Sequence, residues 1–450
     1  MLDTRLFLSI VFILSIGSVC LTVSCFSRAE AIPLIRDTEI ENIIGTYAKP
    51  FLNAAGITDN TFEAKVVKDS ALNAFVARGQ KIFLTTGLLR RSKNAEEVLG
   101  VIAHEIGHIA GGHLTRLHST LRKATRTAII TQVLGLTLGA ATQNPAVGMA
   151  IASGGQHVVN RSFLKFSRGQ EQSADQAAAN YMDKVGISGR GLLEFLKVLS
   201  AQEFLQTSNQ DPYVRTHPLT QNRIHFMENH VKNSSVTHNK LPKTLVSRHL
   251  RMVAKLDAFI DPPQDTLSKY KRNDRSVPAR YARTIALYRK GNLTEALSDI
   301  ETLTSDFPRD PHFIELKGQM LFENGRLSDA MKAYQRAVIL LPDAPLIRTA
   351  LAHVIIEMNH IELNNLALKH VQHALRLDRF LPKAWYLAGK IYGREKQFGR
   401  SAWSLAEYNI LINRKGLALT HAMRALRLLK AGSPAWLRAT DIKNEINRIK

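Results

Sequence analysis

Apolar residues recur at helical spacing through residues 95–110, where Val98, Ile102, Ile106 and Ile109 share one stripe. Asn94 stands where an N-cap belongs, and Glu97 three residues later completes a capping box, so a helix is predicted to start at Ala95. A second amphipathic helix is predicted over residues 38–54, stopped before Gly56. Between the two lie three strand-like runs at 64–68, 73–77 and 81–85, the last two joined by a hairpin signal, Arg78-Gly79-Gln80. Residues 128–152 are apolar and glycine-rich, but Gln143-Asn144-Pro145 breaks the run after about fifteen residues, short of the roughly 20 a membrane span needs. They read as a helical hairpin near the cleft, a mobile lid or a membrane-touching surface. Further helices are predicted around 168–179 and over 190–206, and the stretch 216–224 starts the next.

The C-terminal pattern repeats. Gly291, Ala296 and Pro308 return as Gly325, Ala330 and Pro342, a shift of 34 residues, with Tyr334 and Ala337 in place. Trp385, Ala388, Gly389 and Tyr392 restart the pattern after a less regular unit over 345–381, and a last helix pair is predicted over 417–449. That period is the tetratricopeptide signature, and stacked helix pairs build a concave surface suited to peptides or partners. The fold class read from these patterns is mainly α, a catalytic domain with a small β-sheet followed by an α-solenoid. The expected division is a signal peptide over 1–31, a first domain over 32–262, a polar linker over 263–278 and a repeat domain over 279–450.

Composition adds less. The chain of 450 residues has room for two or three full cores. A formal net charge of +22 favours anionic surfaces or acidic clients. No nucleic-acid motif accompanies the charge, so no nucleic-acid partner is expected. Leu6 to Val23 is nearly continuous apolar sequence after Arg5, and Ala29-x-Ala31 is a small-residue cleavage site. A cleaved secretory signal is expected, with an uncleaved anchor as the alternative. Both cysteines fall in this segment, so the mature chain has no thiol to act as nucleophile or metal ligand.

Candidate chemistry concentrates on the first helix. His104 and His108 are one turn apart, about 6 Å, on one face, the spacing that chelates a single zinc ion. Glu105 stands beside them, placed to take a proton from a water whose pKa zinc lowers from 15.7 to about 7. Burying two histidines and a carboxylate on an apolar helix without a metal would be costly. A third ligand is needed. His113 misses the metzincin position by one residue and reads as a helix-end histidine without a role. The better candidate is Glu171, with Asp175 one turn on to accept the free N–H of a ligating histidine.

His104-Glu105-x-x-His108, followed by Phe166-Ser167-Arg168-x-x-Glu171-x-x-Ala174-Asp175, resembles the gluzincin peptidases related to the CAAX-prenyl endopeptidases. Asn73-Ala74-Phe75-Val76 and Thr216-His217-Pro218 belong to the same resemblance. Several relatives cross the membrane repeatedly, and this chain has one span-length apolar segment. The resemblance implies a periplasmic zinc endopeptidase, one zinc per chain, acting on unfolded or stalled envelope proteins, outer-membrane β-barrels among them. It further implies contact with the outer-membrane assembly machinery through the repeats, and peripheral contact with the membrane. The alternative is a chaperone or assembly adaptor with proteolysis secondary or latent. Two further assignments are expectations. Ile82, Phe83 and Leu84 form a strand offered to an extended substrate. His217, held off a helix by Pro218, is a plug in the fourth metal position, a transition-state donor or a structural residue.

Overall fold

The computed structural model describes residues 33–58, 62–77, 80–113, 115–116, 167–201, 213 and 217–448. The expected signal peptide and the apolar hairpin over 128–152 lie outside the described residues. Among these, no helix is long and apolar enough to cross a membrane.

The first domain is built on a four-stranded sheet of β1 (Leu34–Ile35), β2 (Glu63–Val67), β3 (Ala74–Ala77) and β4 (Lys81–Thr85), in the order β1-β2-β4-β3. The predicted hairpin forms: β3 and β4 are antiparallel, with Phe75 opposite Phe83 and their rings stacked 5.0 Å apart. β2 then joins the other side of β4 in parallel. This corrects the expected substrate strand. Ile82, Phe83 and Leu84 have neighbours on both sides, so their backbone groups belong to the ladder, and Ile82 and Leu84 are fully buried. Period-2 alternation reports which face of a strand is buried and carries no information on its place in the sheet. The edge strands are β1 and β3, and β3, with four residues against two, is the longer.

Helix α1 (Thr38–Ala54) carries Ile40, Ile44, Tyr47 and Phe51 into the core that also holds Ile82 and Leu84. After α2 (Thr86–Arg91) comes the motif helix α3 (Ala95–Ala110). Asn94 caps α3 by accepting the Glu97 amide, while the Glu97 carboxylate accepts the Lys93 amide at 3.1 Å, one residue upstream of the box predicted. The α3 surface is buried almost all round, well beyond the single predicted stripe, because the sheet, α1, α4 (residues 167–185) and α5 (Arg190–Ser200) surround it. Gly107 is the close-approach point. A Cβ there would lie 2.8 Å from the Ala174 carbonyl oxygen, so glycine lets α4 come near enough to place Glu171 against His104 and His108.

Two more helices, α6 (Gln221–Asn233) and α7 (Lys243–Ile260), complete this domain. Residues 263–278, expected as an open linker, instead contain the helix Pro263–Lys269, and Lys269 and Tyr270 each reach Asp257 at 2.7 Å. The joint is packed because α7 serves two cores. Met252 and Leu256 face the core of the first domain, while Ala254 and Ala258 face Tyr281 and Ile285 of the first repeat. Buried charge crosses the joint as well. Glu39 of α1, 1% exposed, accepts from Arg251, from Lys255 Nζ at 3.1 Å and from the Tyr281 hydroxyl at 3.0 Å; Arg251 also bridges to Asp310. The array stacks helix pairs from Val277–Arg289 with Leu293–Asp306 to Lys415–Leu428 with Pro434–Asn447. Its third pair returns to the sheet, where Asp378 meets Arg36 at 2.8 Å and Lys81 lies over the Phe380 ring.

Candidate active site

Helical spacing brings His104 and His108 to one face of α3, and the close packing at Gly107 brings α4 alongside. His104 Nε2 and His108 Nε2 are 3.0 Å apart. Glu171 lies 3.3 Å from each, through Oε2 to His104 and Oε1 to His108. His217, from the segment before α6, brings Nδ1 to 3.1 Å from Glu171 Oε2 and 3.4 Å from His104 Nε2. The donor atoms of these four residues all lie within 4.8 Å of one another. Donor atoms this close together would suit a single metal ion held between the two helices.

The electrostatics agree with a site for a cation. Burial opposes charging of His104, yet the carboxylates of Asp175 and Glu171 override it and hold its pKa up at about 9. Burial pushes His108 down to about 3. Glu171, despite burial, is held well below the usual carboxylate range by the surrounding histidines. Glu105 is fully buried, and burial raises its pKa. Neither of its oxygens has a hydrogen-bond partner among the described residues, although His217 Nε2 stands 3.5 Å from Oε1. Asp175 lies 2.9 Å from His104 Nδ1, the outer nitrogen.

Three residues of the site were not predicted. Arg223 of α6, 2% exposed, grips Asp175 with two hydrogen bonds of 2.6 and 2.9 Å, approaches Glu171 Oε2 at 3.1 Å and donates to the carbonyls of His217 and Pro218. One guanidinium thus ties the carboxylate helix to the His217 segment. Nothing in the polar run Gln221-Asn222-Arg223 marks it as buried. Tyr213 stacks on the His217 ring at 4.4 Å and accepts the His217 amide at its carbonyl, 2.8 Å away. His113, read from sequence as having no role, is buried, with Nδ1 2.9 Å from Nδ1 of His108. The signal available for it was Gly111-Gly112, which lets the chain turn back after the helix.

Histidines one turn apart, a glutamate from a second helix and a buried glutamate beside them, on a mainly helical domain with a small sheet, define a metalloendopeptidase. Residues 35–231 match Peptidase family M48 and residues 281–345 match the tetratricopeptide repeat, and the chain is a metalloendopeptidase with a C-terminal repeat array. It is similar to the beta-barrel assembly-enhancing protease of Yersinia pestis, with 25% identity over 336 residues that cover 73% of this chain and 68% of the relative. The protein of the same name in Escherichia coli (strain K12) is 27% identical over 194 residues, 43% of this chain and 39% of the relative. The mitochondrial metalloendopeptidase OMA1 of Schizosaccharomyces pombe is 23% identical over 188 residues, covering 42% and 52%.

Proposed function

We propose that this chain is a periplasmic zinc endopeptidase that removes misfolded or stalled envelope proteins, outer-membrane β-barrels in particular, and that His217 holds it latent until a client or partner moves the loop. The observation that carries the reading is the convergence of His104, His108, Glu171 and His217 beside a buried Glu105. The names of the relatives from Yersinia pestis and Escherichia coli support the client class, and the repeats supply a surface for clients or for the outer-membrane assembly machinery.

In this reading His104, His108 and Glu171 hold the metal. A bound zinc ion supplies Lewis acidity, lowering the pKa of water from 15.7 to about 7. Glu105 takes the proton of the attacking water and passes it to the leaving amine, a role suited to a carboxylate whose pKa burial raises. Asp175 orients His104, and Arg223 holds Asp175. His217 would oppose catalysis twice: its Nδ1 would compete with water for the bound metal, and its Nε2 stands 3.5 Å from the Glu105 carboxylate.

The experiment is His217→Ala, assayed on an unfolded β-barrel protein with zinc content measured in parallel. Basal cleavage is expected to rise at unchanged zinc. A fall would make His217 a donor to the transition state, and no change would leave it structural.

The substrate strand in this reading moves to β3. Thr85 N–H donates to the Asn73 carbonyl, so the ladder groups of residues 73, 75 and 77 face β4, while Ala74 and Val76 direct theirs away from the sheet. An extended substrate adds there as a strand. Val76→Pro removes one outward N–H and spares the ladder, and it is expected to lower kcat/KM on unfolded substrate several-fold, up to about tenfold, with the melting temperature little changed. Unchanged kcat/KM would remove Val76 from substrate pairing.

The latent arrangement is also the observation that favours a second reading, an assembly adaptor whose repeats do the main work while proteolysis stays in reserve. Zinc-loaded His217→Ala protein that cleaves no unfolded β-barrel protein would favour the adaptor.

A further inference from the structure

The two histidine ligands differ at their outer nitrogens. His104 and His108 both direct Nε2 into the cluster. Behind His104 stands a carboxylate, Asp175, 2.9 Å from Nδ1. Behind His108 stands a second imidazole, His113 Nδ1, also at 2.9 Å, with the rings edge to face at 4.9 Å and 82°. We propose that His113 is a positioning residue of the metal centre, which accepts the outer N–H of His108 and so fixes that ligand's tautomer and ring orientation.

The proton bookkeeping leaves one arrangement. An imidazole that offers the Nε2 lone pair to a metal keeps its proton on Nδ1. The His108 Nδ1–H therefore donates, His113 Nδ1 accepts, and the His113 proton sits on its own Nε2.

The local chain is built to put the ring there. Gly112 takes a φ of +61°, which turns the backbone back after α3. At Gly111 a Cβ would fall 2.3 Å from His113 Nε2, so the ring occupies space that any other residue would fill. The His113 side chain is buried, and its carbonyl accepts from Gln170 Nε2 at 3.2 Å, one residue before Glu171. His108, His113, Gln170 and Glu171 thereby close a ring of contacts around one side of the cluster, opposite the Asp175–Arg223 clamp. Residues that orient a ligating histidine typically contribute about 10–100-fold in metal affinity.

The inference rests on the metal-site reading above, and zinc affinity separates the two. Zinc dissociation constants are measured by chelator competition for the full chain and for His113→Leu, His113→Asn and Gly111→Ala, with Co2+ visible absorption as the reporter of ligand geometry. Thermal melts of the metal-free proteins report the fold. His113→Leu is expected to weaken zinc about 10–100-fold and alter the Co2+ bands. Asn places its amide oxygen near the Nδ1 position, so His113→Asn is expected to bind within a few-fold of the parent. Gly111→Ala keeps the histidine but displaces its ring, and is expected to follow His113→Leu. Parental affinity and Co2+ bands in His113→Leu would overturn the assignment. So would equal losses in His113→Asn and His113→Leu, or losses that merely track lower metal-free melting temperatures. A parent that binds no zinc would overturn the metal-site reading itself.

Discussion

Replacing Glu105 with Gln is expected to leave zinc bound and to lower cleavage at least 10²-fold. The carboxylate lies among the ligands without being one of them, fully buried and with no hydrogen-bond partner for either oxygen among the described residues. Gln keeps the volume and removes the base, and general-base catalysis is typically worth about 10²–10⁴-fold. The loss therefore belongs in kcat, with zinc stoichiometry unchanged. Since His217 lies over the base, the comparison is cleanest in a His217→Ala background, where the larger basal rate gives a wider range to lose. Parental turnover by Glu105→Gln would remove this residue from the mechanism; loss of zinc along with activity would make it a structural support of the ligands.

The second large effect falls far from the site. Glu39→Gln is expected to destabilise the chain by about 3–5 kcal/mol at neutral pH, the usual cost of removing one partner from a buried ion pair. Glu39 is 1% exposed and neutralises Arg251 and Lys255 where the peptidase meets the first repeat. Burial alone would raise its pKa, but Lys255 and Arg251 hold it down at about 2 against an ordinary 4.5. The sign follows from linkage. The folded-state pKa is depressed, so the contribution is fully present above pH 4.5 and is lost as the pH falls towards 2. A shift of that size is worth about 3 kcal/mol between neutral pH and the acid limit. Denaturant titrations of the parent and Glu39→Gln should therefore differ at pH 7 and converge on acidification. Equal stability at pH 7, or a gap that persists unchanged below pH 3, would refute this role.

The same joint explains why the linker reading of residues 263–278 missed the helix Pro263–Lys269. Pro262-Pro263 and the charged run up to Pro278 have linker composition, and composition was all there was to read. Helix α7 is amphipathic in a way that satisfies one core or two, and only the packed structure shows Met252 and Ala254 facing different ones. A cut before Val277 would expose the Ala254 and Ala258 face, and Lys255 would lose its neighbour Tyr281.

Local rules were enough for much of the rest. Helical periodicity placed His104 and His108 on one face of α3, Asn94 marked where that helix begins, and a 34-residue period announced the stacked pairs. Each depends on neighbours within a turn or on a repeat, so the chain states it directly. Glu171 and Asp175 were legible because metal chemistry demands a ligand and its orienting partner at that spacing. Tertiary structure alone decided the order of the strands, which put Ile82, Phe83 and Leu84 inside the sheet and left β1 and β3 at its edges. It also decided the burial of Arg223, the stacking of Tyr213 on His217 and the place of His113 behind His108. The physical reason is common to all of these. Hydrophobic patterning fixes which side of an element faces inward, whereas the identity of what it meets there depends on segments tens of residues away, and the pattern carries no record of them.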